Sequence, residues 1–289
     1  MVVWSRSRLG LIAGVAIFVG ALAALLLTGH DSIQPSADSD ETISVWSAVV
    51  PALAAIILIG LLPMRAPTLA IRTIGDSSKQ LRWLIGIAVG FPLVWYAFAL
   101  AGVDRETVGG LWALSKPIAF LLLPWLVLRT VLFQTVPGES LWLPKGRWRW
   151  IAPIPALLAF GYLALLSPLA GSLPKAADYP DPVVLAIGAS LTFLTANVLE
   201  ELFYRVMLQT RLEQAVGRWP AIVLTALLFA LMHLPSHGQG GLPLTLGAIV
   251  VFQGTFGLFT GYLWSRYRNV WANIGAHTII NTLPLLLMQ

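Results

Sequence analysis

The sequence predicts an all-α fold, a polytopic membrane helix bundle of about eight or nine transmembrane helices. Three observations carry that prediction. Of 289 residues, 57% are hydrophobic and only 11% are charged, with a mean hydropathy of +0.80; soluble domains hold about 45–50% apolar and about 25% charged residues. Apolar runs of about 20 residues, enough to cross a hydrocarbon layer of about 30 Å, recur along the whole chain. The basic residues gather in alternate loops. A soluble enzyme and a disordered scaffold are excluded by this composition. The absence of cysteine excludes thiol catalysis, Cys-ligated zinc and disulfides.

Helices are the default for each run because lipid offers the backbone no outside hydrogen-bond partner. The first, Leu9–Leu27, is longer than the apolar region of a signal peptide and no small-x-small site follows it, so it reads as a retained span. Val45–Pro63, Trp83–Gly102, Leu111–Phe133 and Trp150–Ala170 follow, giving about five N-terminal spans within residues 1–182. Val183 to about Phe203, Trp219–Leu234, Leu242–Trp264 and Val270–Met288 follow within residues 183–289, and the last two are candidates for tilted or partly re-entrant segments. Trp142, Trp148 and Trp150, beside Lys145, Arg147 and Arg149, read as interfacial anchors.

Charge sets the orientation. With a cytoplasmic N-terminus, the inner segments carry nearly every Lys and Arg; only Arg105, Lys116 and Lys175 fall elsewhere, while Asp31, Asp38, Asp40, Glu41, Asp104, Glu106, Asp178 and Asp181 lie outside. That asymmetry is the positive-inside pattern. The expected location is an integral multi-pass membrane protein with its N-terminus in the cytoplasm. Lys116, near the outer end of its span, is expected to snorkel to the headgroups.

Ionisable side chains inside a span are expensive and point to function. They crowd into the last third: Glu200, Glu201 and Arg205 on the sixth span, His233 on the seventh, His277 with Asn281 on the ninth. The sixth span continues as a polar tail, Tyr204 to Ala215, and turns at Gly217; Trp219–Pro220 opens the next helix. In a hairpin with its apex at Gly217, Glu200 and His233 stand at the same height. Glu201 and Arg205, four apart, can pair along one helix face. His277 and Asn281 share a face by the same spacing.

No metal motif fits. HExxH is absent, and Pro235 interrupts the His233/His237 spacing, which makes His237 a loop residue. No GxSxG elbow and no in-span aspartate is present. A carboxylate beside a histidine, with a second histidine and a carboxamide on a facing helix, suits hydrolysis without a covalent intermediate. Glu200 is the candidate general base and His233 a positioner of the water. His277 and Asn281 are candidate donors to an oxyanion, and Glu201–Arg205 is a supporting ion pair. No cofactor is expected; a metal ion is left open but not favoured.

The run Glu200–Glu201–x–x–x–Arg205, then Phe229–x–x–x–His233, then His277–x–x–x–Asn281, resembles the CPBP (ABI) family of intramembrane proteases, which includes type II CAAX prenyl endopeptidases and bacteriocin-processing enzymes. The resemblance covers about residues 183–288. It implies a catalytic helical core over residues 183–289, catalytic Glu200, His233 and His277, an oxyanion role for Asn281, and glutamic-type chemistry. One departure is Val206, where the family often has Gly. The expected function is an endopeptidase acting on a membrane-associated or lipidated protein or peptide, with the site open to the cytoplasmic leaflet. Its expected partners are that substrate and the lipid bilayer, not nucleic acid; oligomeric state is left open. The alternative is a non-catalytic immunity or scaffold protein of the same family, and a third reading is a transporter with a Glu/His proton relay, which lacks paired half-helix repeats.

Overall fold

A computed structural model describes residues 2–34, 42–62, 77–128, 144–173, 175, 181–236 and 241–288 of the chain. The architecture is helical throughout: α1 (Val2–Leu27), α2 (Val45–Leu61) and α3 (Ser77–Leu100), then α4 (105–128). These are followed by α5 (Trp148–Leu166) and α6 (Pro182–Val216), α7 (Arg218–Met232) and α8 (Leu242–Tyr267). Two short helices close the chain, α9 (Val270–Asn281) and α10 (Leu283–Leu286). The extended backbone is a pair of two-residue strands, β1 (Ser32–Ile33) and β2 (Ile43–Ser44), antiparallel with Ser32 opposite Ser44.

Several helices begin where a polar side chain accepts a backbone N–H that the helix would leave unpaired. Ser44 caps α2, Asp104 caps α4, Asp181 caps α6 with Pro182 just inside, and Asn269 caps α9. Among the described residues seven helices are long and apolar enough to cross a membrane, and Val45–Leu61, at 17 residues, is a shorter eighth. The chain is an integral multi-pass membrane protein built as a helix bundle. The segment Val270–Met288 departs from its expected form as a ninth span. Its helix stops at Asn281 after 12 residues, a rise of about 18 Å, because Pro284 has no N–H to continue the ladder and opens the separate turn α10. His237 and Trp142 lie outside the described residues; Trp148 and Trp150 are exposed.

The longest helix, α6, changes environment along its length. Val183, Ile187, Leu191 and Leu194 form an exposed stripe on its first half, the apolar face a bilayer accepts. From Leu202 to Leu212 every residue is buried. The expected polar tail beyond residue 204 is therefore helical but not solvated: Arg205, Gln209, Thr210 and Arg211 all point into the bundle. Two wide, π-type stretches, Phe193–Val198 and Leu202–Gln209, flank the short α-helical piece Leu199–Glu201. Such turns reset which residues face a neighbour and are frequent at functional sites.

One hydrophobic cluster joins the two halves of the chain: Ile59, Leu84, Phe120 and Phe160 pack with Phe203, Phe229, Phe259 and Trp264. Within it Phe120 of α4 stacks on Phe203 of α6, centroids 4.7 Å apart, and Tyr204 meets Phe229 of α7 edge-on at 5.4 Å. α7 and α8 approach closely through Gly257, where a Cβ would stand 3.0 Å from the Ala226 Cα.

The α6–α7 hairpin turns at Gly217, as the sequence predicts, with φ 87° and ψ 169°, a region essentially restricted to glycine. Nothing lies within 4 Å of where its Cβ would be, so substitution strains the backbone alone. Gly217→Ala is expected to destabilise the protein by about 1–3 kcal/mol, read as a lowered melting temperature of the detergent-solubilised chain.

Candidate active site

Adjacent residues on a helix point about 100° apart, so Glu200 and Glu201 reach different neighbours from the same turn of α6. Both are buried, Glu200 only 1% exposed, and both meet the imidazole of His277 on α9. Glu201 Oε1 lies 3.1 Å from His277 Nδ1, and Glu200 Oε2 lies 3.8 Å from His277 Nε2. Since a carboxylate only accepts, the first contact places a proton on Nδ1. The second nitrogen is thereby turned toward Glu200, and it donates an N–H only when the ring is protonated. The expected role of His277 as a ready N–H donor is therefore modified: its standing N–H is spent on Glu201. Phe256 and Phe229 flank the ring, at centroid distances of 5.0 and 6.0 Å.

Glu201 is held from three directions. Its Oε2 accepts from Arg205 Nε at 3.2 Å and from Asn273 Nδ2 at 3.1 Å. Arg205 continues to Thr260 Oγ1 at 2.7 Å, and Asn273 to the Thr260 carbonyl at 2.8 Å. The guanidinium also lies 5.1 Å from the Phe229 ring centre. Glu201 and Arg205 thus do more than neutralise each other: through Asn273 and Thr260 they fasten α6, α8 and α9 together and fix the orientation of His277.

Glu200 is held differently. Its Oε1 accepts from Lys116 Nζ of α4 at 2.5 Å. Its Oε2 has no hydrogen-bond partner among the described residues. Lys116 is 3% exposed and lies 3.7 Å from the Trp112 ring centre. The expectation that it snorkels to the headgroups fails, because α4 packs its Lys116 face inward against α6 rather than outward to lipid.

His233 caps the C-terminus of α7. Its Nδ1 donates to the Phe229 carbonyl at 2.9 Å, which leaves the lone pair of the neutral ring on Nε2. Trp112 approaches edge-on at 6.4 Å. One turn earlier on the same helix Phe229 rests against Tyr204 and Arg205, so His233 stands at the height of the glutamate pair. Asn281 donates from Nδ2 to Asn197 Oδ1 at 2.8 Å, and Asn197 in turn donates to Thr278 Oγ1 and Thr282 Oγ1 at 3.2 and 3.3 Å. The glutamates, His277 and Lys116 form one contact cluster; His233 joins it through Trp112 and Phe229, and Asn281 is tied to α6 one turn before Glu200.

Asn197, Asn273 and Thr260 are residues the sequence reading overlooked, and Lys116 is one it assigned to the headgroups. For Lys116 the signal existed, since a lysine inside an apolar run demands a partner. Asn197 and Asn273 lie three residues before Glu200 and four before His277, spacings that a search along the motif faces would have reached. No group of three or more His, Asp or Glu side chains disposed to hold a metal ion is found among the described residues. Removing one member of a buried ion pair strands the other. Arg205→Met is expected to destabilise the protein by about 3–5 kcal/mol, and adding Glu201→Gln to recover part of that loss, both read by unfolding in detergent.

The comparisons with known proteins bear on this arrangement. Residues 182–283 match a family model described as type II CAAX prenyl endopeptidase Rce1-like. The chain is also similar to the UPF0177 protein YvdC of Lactococcus lactis subsp. lactis (strain IL1403), at 26% identity over 158 residues, which take in 50% of this chain and 56% of that protein. The chain thus spans about half the length of the curated relative it matches. No solved structure matches the chain significantly. The matched residues 182–283 carry the glutamate pair and all three motifs, and the family that the model describes is one of peptidases.

Proposed function

We propose that the protein is an intramembrane endopeptidase that hydrolyses a peptide bond of a membrane-associated or lipidated protein or peptide. The observation that carries the reading is the facing pair Glu200 Oε2 and His277 Nε2, 3.8 Å apart and buried, with Oε2 unpartnered among the described residues. A carboxylate oxygen in that position can accept a proton from a water that the neighbouring imidazole helps to hold.

In this mechanism the water gives its proton to Glu200 Oε2 as its oxygen bonds to the scissile carbonyl carbon. The carbonyl oxygen gains the negative charge. Asn281, whose amide has a second hydrogen beside the one given to Asn197, donates to that oxyanion. The C–N bond then breaks, and Glu200 returns the proton to the leaving amine. The water's two hydrogens are taken by Glu200 Oε2 and His277 Nε2, and His233, which reaches the cluster through Trp112 and Phe229, orients the substrate beside the water. Glu201 takes no proton; it keeps His277 in one tautomer. The reaction needs no cofactor in this scheme.

The site is proposed to open to the cytoplasmic leaflet, with the N-terminus on the same side. Arg211, Arg218, Arg266 and Arg268 cluster at the Gly217 end of the hairpin, where Arg268 pairs with Glu213, and basic residues favour the cytoplasmic face.

The test uses the purified chain in proteoliposomes with a quenched-fluorescent farnesylated peptide ending in a CAAX sequence. Glu200→Gln and His277→Ala are expected to abolish cleavage in protein that still folds, with Glu200→Gln lowering the melting temperature because it strands the Lys116 ammonium. Asn281→Ala is expected to lower kcat by about 10²–10³-fold. Undiminished cleavage by both of the first two variants defeats the proposal, and a cellular phenotype that survives them would favour the scaffold reading instead.

A further inference from the structure

Lys116 lies outside the residues that match the family model, yet its ammonium makes the closest polar contact to Glu200. We infer that Lys116 is a positioning residue for the reaction: by binding Oε1, it fixes the Glu200 carboxylate so that Oε2 alone faces His277. The inference rests on the proposed role of Glu200 as the base.

Three features support it. First, the contact is directional. Lys116 occupies one oxygen and His277 Nε2 faces the other, so the ammonium selects which oxygen is left for chemistry. A carboxylate free to rotate about its terminal bond would present either oxygen, since such torsions are broad. Second, the backbone is distorted at this point. Pro117 directly follows Lys116 inside the helix, and a wide π-type stretch, Ile118–Leu122, comes next. Pro removes the ladder bond and forces the local bend, which lets Lys116 face α6 while the following residues Ala119 and Phe120 stay in the core. Third, Trp112, one turn earlier on the same face, lies beneath the ammonium at 3.7 Å and against His233 at 6.4 Å. One face of α4 therefore touches both the proposed base and the histidine of α7.

Charge accounting gives the pairing its selectivity. Two carboxylates are buried at the site, and Arg205 binds Glu201 but makes no contact with Glu200 among those described. Lys116 supplies the matching cation for Glu200, so neither imidazole is required to carry the compensating charge. The N-terminal helices are then a working part of the site, because the residue that orients the base belongs to α4.

The test compares Lys116→Met, Lys116→Arg, Glu200→Gln and the double variant Lys116→Met/Glu200→Gln, in proteoliposomes with the farnesylated CAAX peptide. Lys116→Met is expected to lower kcat by about 100-fold with KM changed by less than about twofold. Lys116→Arg is expected to recover part of kcat, and the double variant to be no less active than Glu200→Gln alone. Lys116→Met is also expected to lower the melting temperature, and Glu200→Gln added to it to restore the loss, because both buried charges are then gone. A lowered melting temperature with kcat unchanged makes Lys116 a structural counter-ion only and overturns the inference, as does a Lys116→Met variant that matches the parent in both. If Lys116→Met does not fold, Lys116→Gln decides: kcat unchanged from the parent in that variant, which has no charge at the position, overturns the role of the ammonium in selecting one oxygen. If the parent chain leaves the peptide uncut, it is the protease reading that fails. Position is then decided without activity, because the chain has no native cysteine: Lys116→Cys/Glu200→Cys should be joined by a short bifunctional methanethiosulfonate, and failure to join them overturns the placement.

Discussion

Two neighbouring carboxylates buried in a membrane-embedded bundle impose the constraint around which the rest of the protein is arranged. A carboxylate in such surroundings is tolerated only when cations and hydrogen-bond donors reach it, and here they come from three helices, braced by a fourth. Arg205 reaches Glu201 from the same helix. Asn273 and His277 reach it from α9, with Thr260 of α8 bracing both Arg205 and Asn273. Lys116 reaches Glu200 from α4. The helices that form the core are also the ones that satisfy these charges, so packing and site geometry depend on the same contacts.

The irregular course of α6 makes that arrangement available. A regular helix would carry a single buried stripe from end to end. Instead, its lipid-facing first half gives way at the wide stretch Phe193–Val198, which turns Asn197 inward toward α9. The second wide stretch, Leu202–Gln209, brings eight consecutive residues into the protein interior. The Arg205 carbonyl accepts the Thr210 backbone N–H across this wide turn and the Thr210 Oγ1 hydroxyl as well, at 3.1 Å, so the altered ladder stays paired in an apolar interior.

How much of this was legible in the sequence depends on the kind of information each feature needs. The helical class, the positions of the apolar runs and the turn at Gly217 follow from composition, run length and a residue able to adopt positive φ. The pairing of Glu201 with Arg205 follows from a spacing of four. Height along a hairpin could be counted from its apex, and Phe229, one turn before His233, meets Tyr204 and Arg205, one turn after the glutamates. Lateral neighbours could not be counted in this way. Snorkelling judges Lys116 by its distance from the end of its own helix, whereas its burial depends on which side of α4 meets α6. In the same way, the four-residue spacing of His277 and Asn281 places them on one face but does not say that the first meets two glutamates and the second an asparagine. The short α9 was hidden because Leu283–Met288 is as apolar as a span, and only Pro284 separates it from the helix before.

The imidazole of His277 has a carboxylate at each nitrogen, but the two ends are unlike. One is fastened by a close hydrogen bond to a glutamate that is itself pinned by an arginine and an asparagine; the other looks across a wider gap at an oxygen without a fixed partner. The ring is accordingly anchored at one end only. A flip about its Cβ–Cγ bond would break the pinned contact, so Nε2 is kept toward Glu200, and the order in which two adjacent glutamates follow one another in the chain gives the centre its direction.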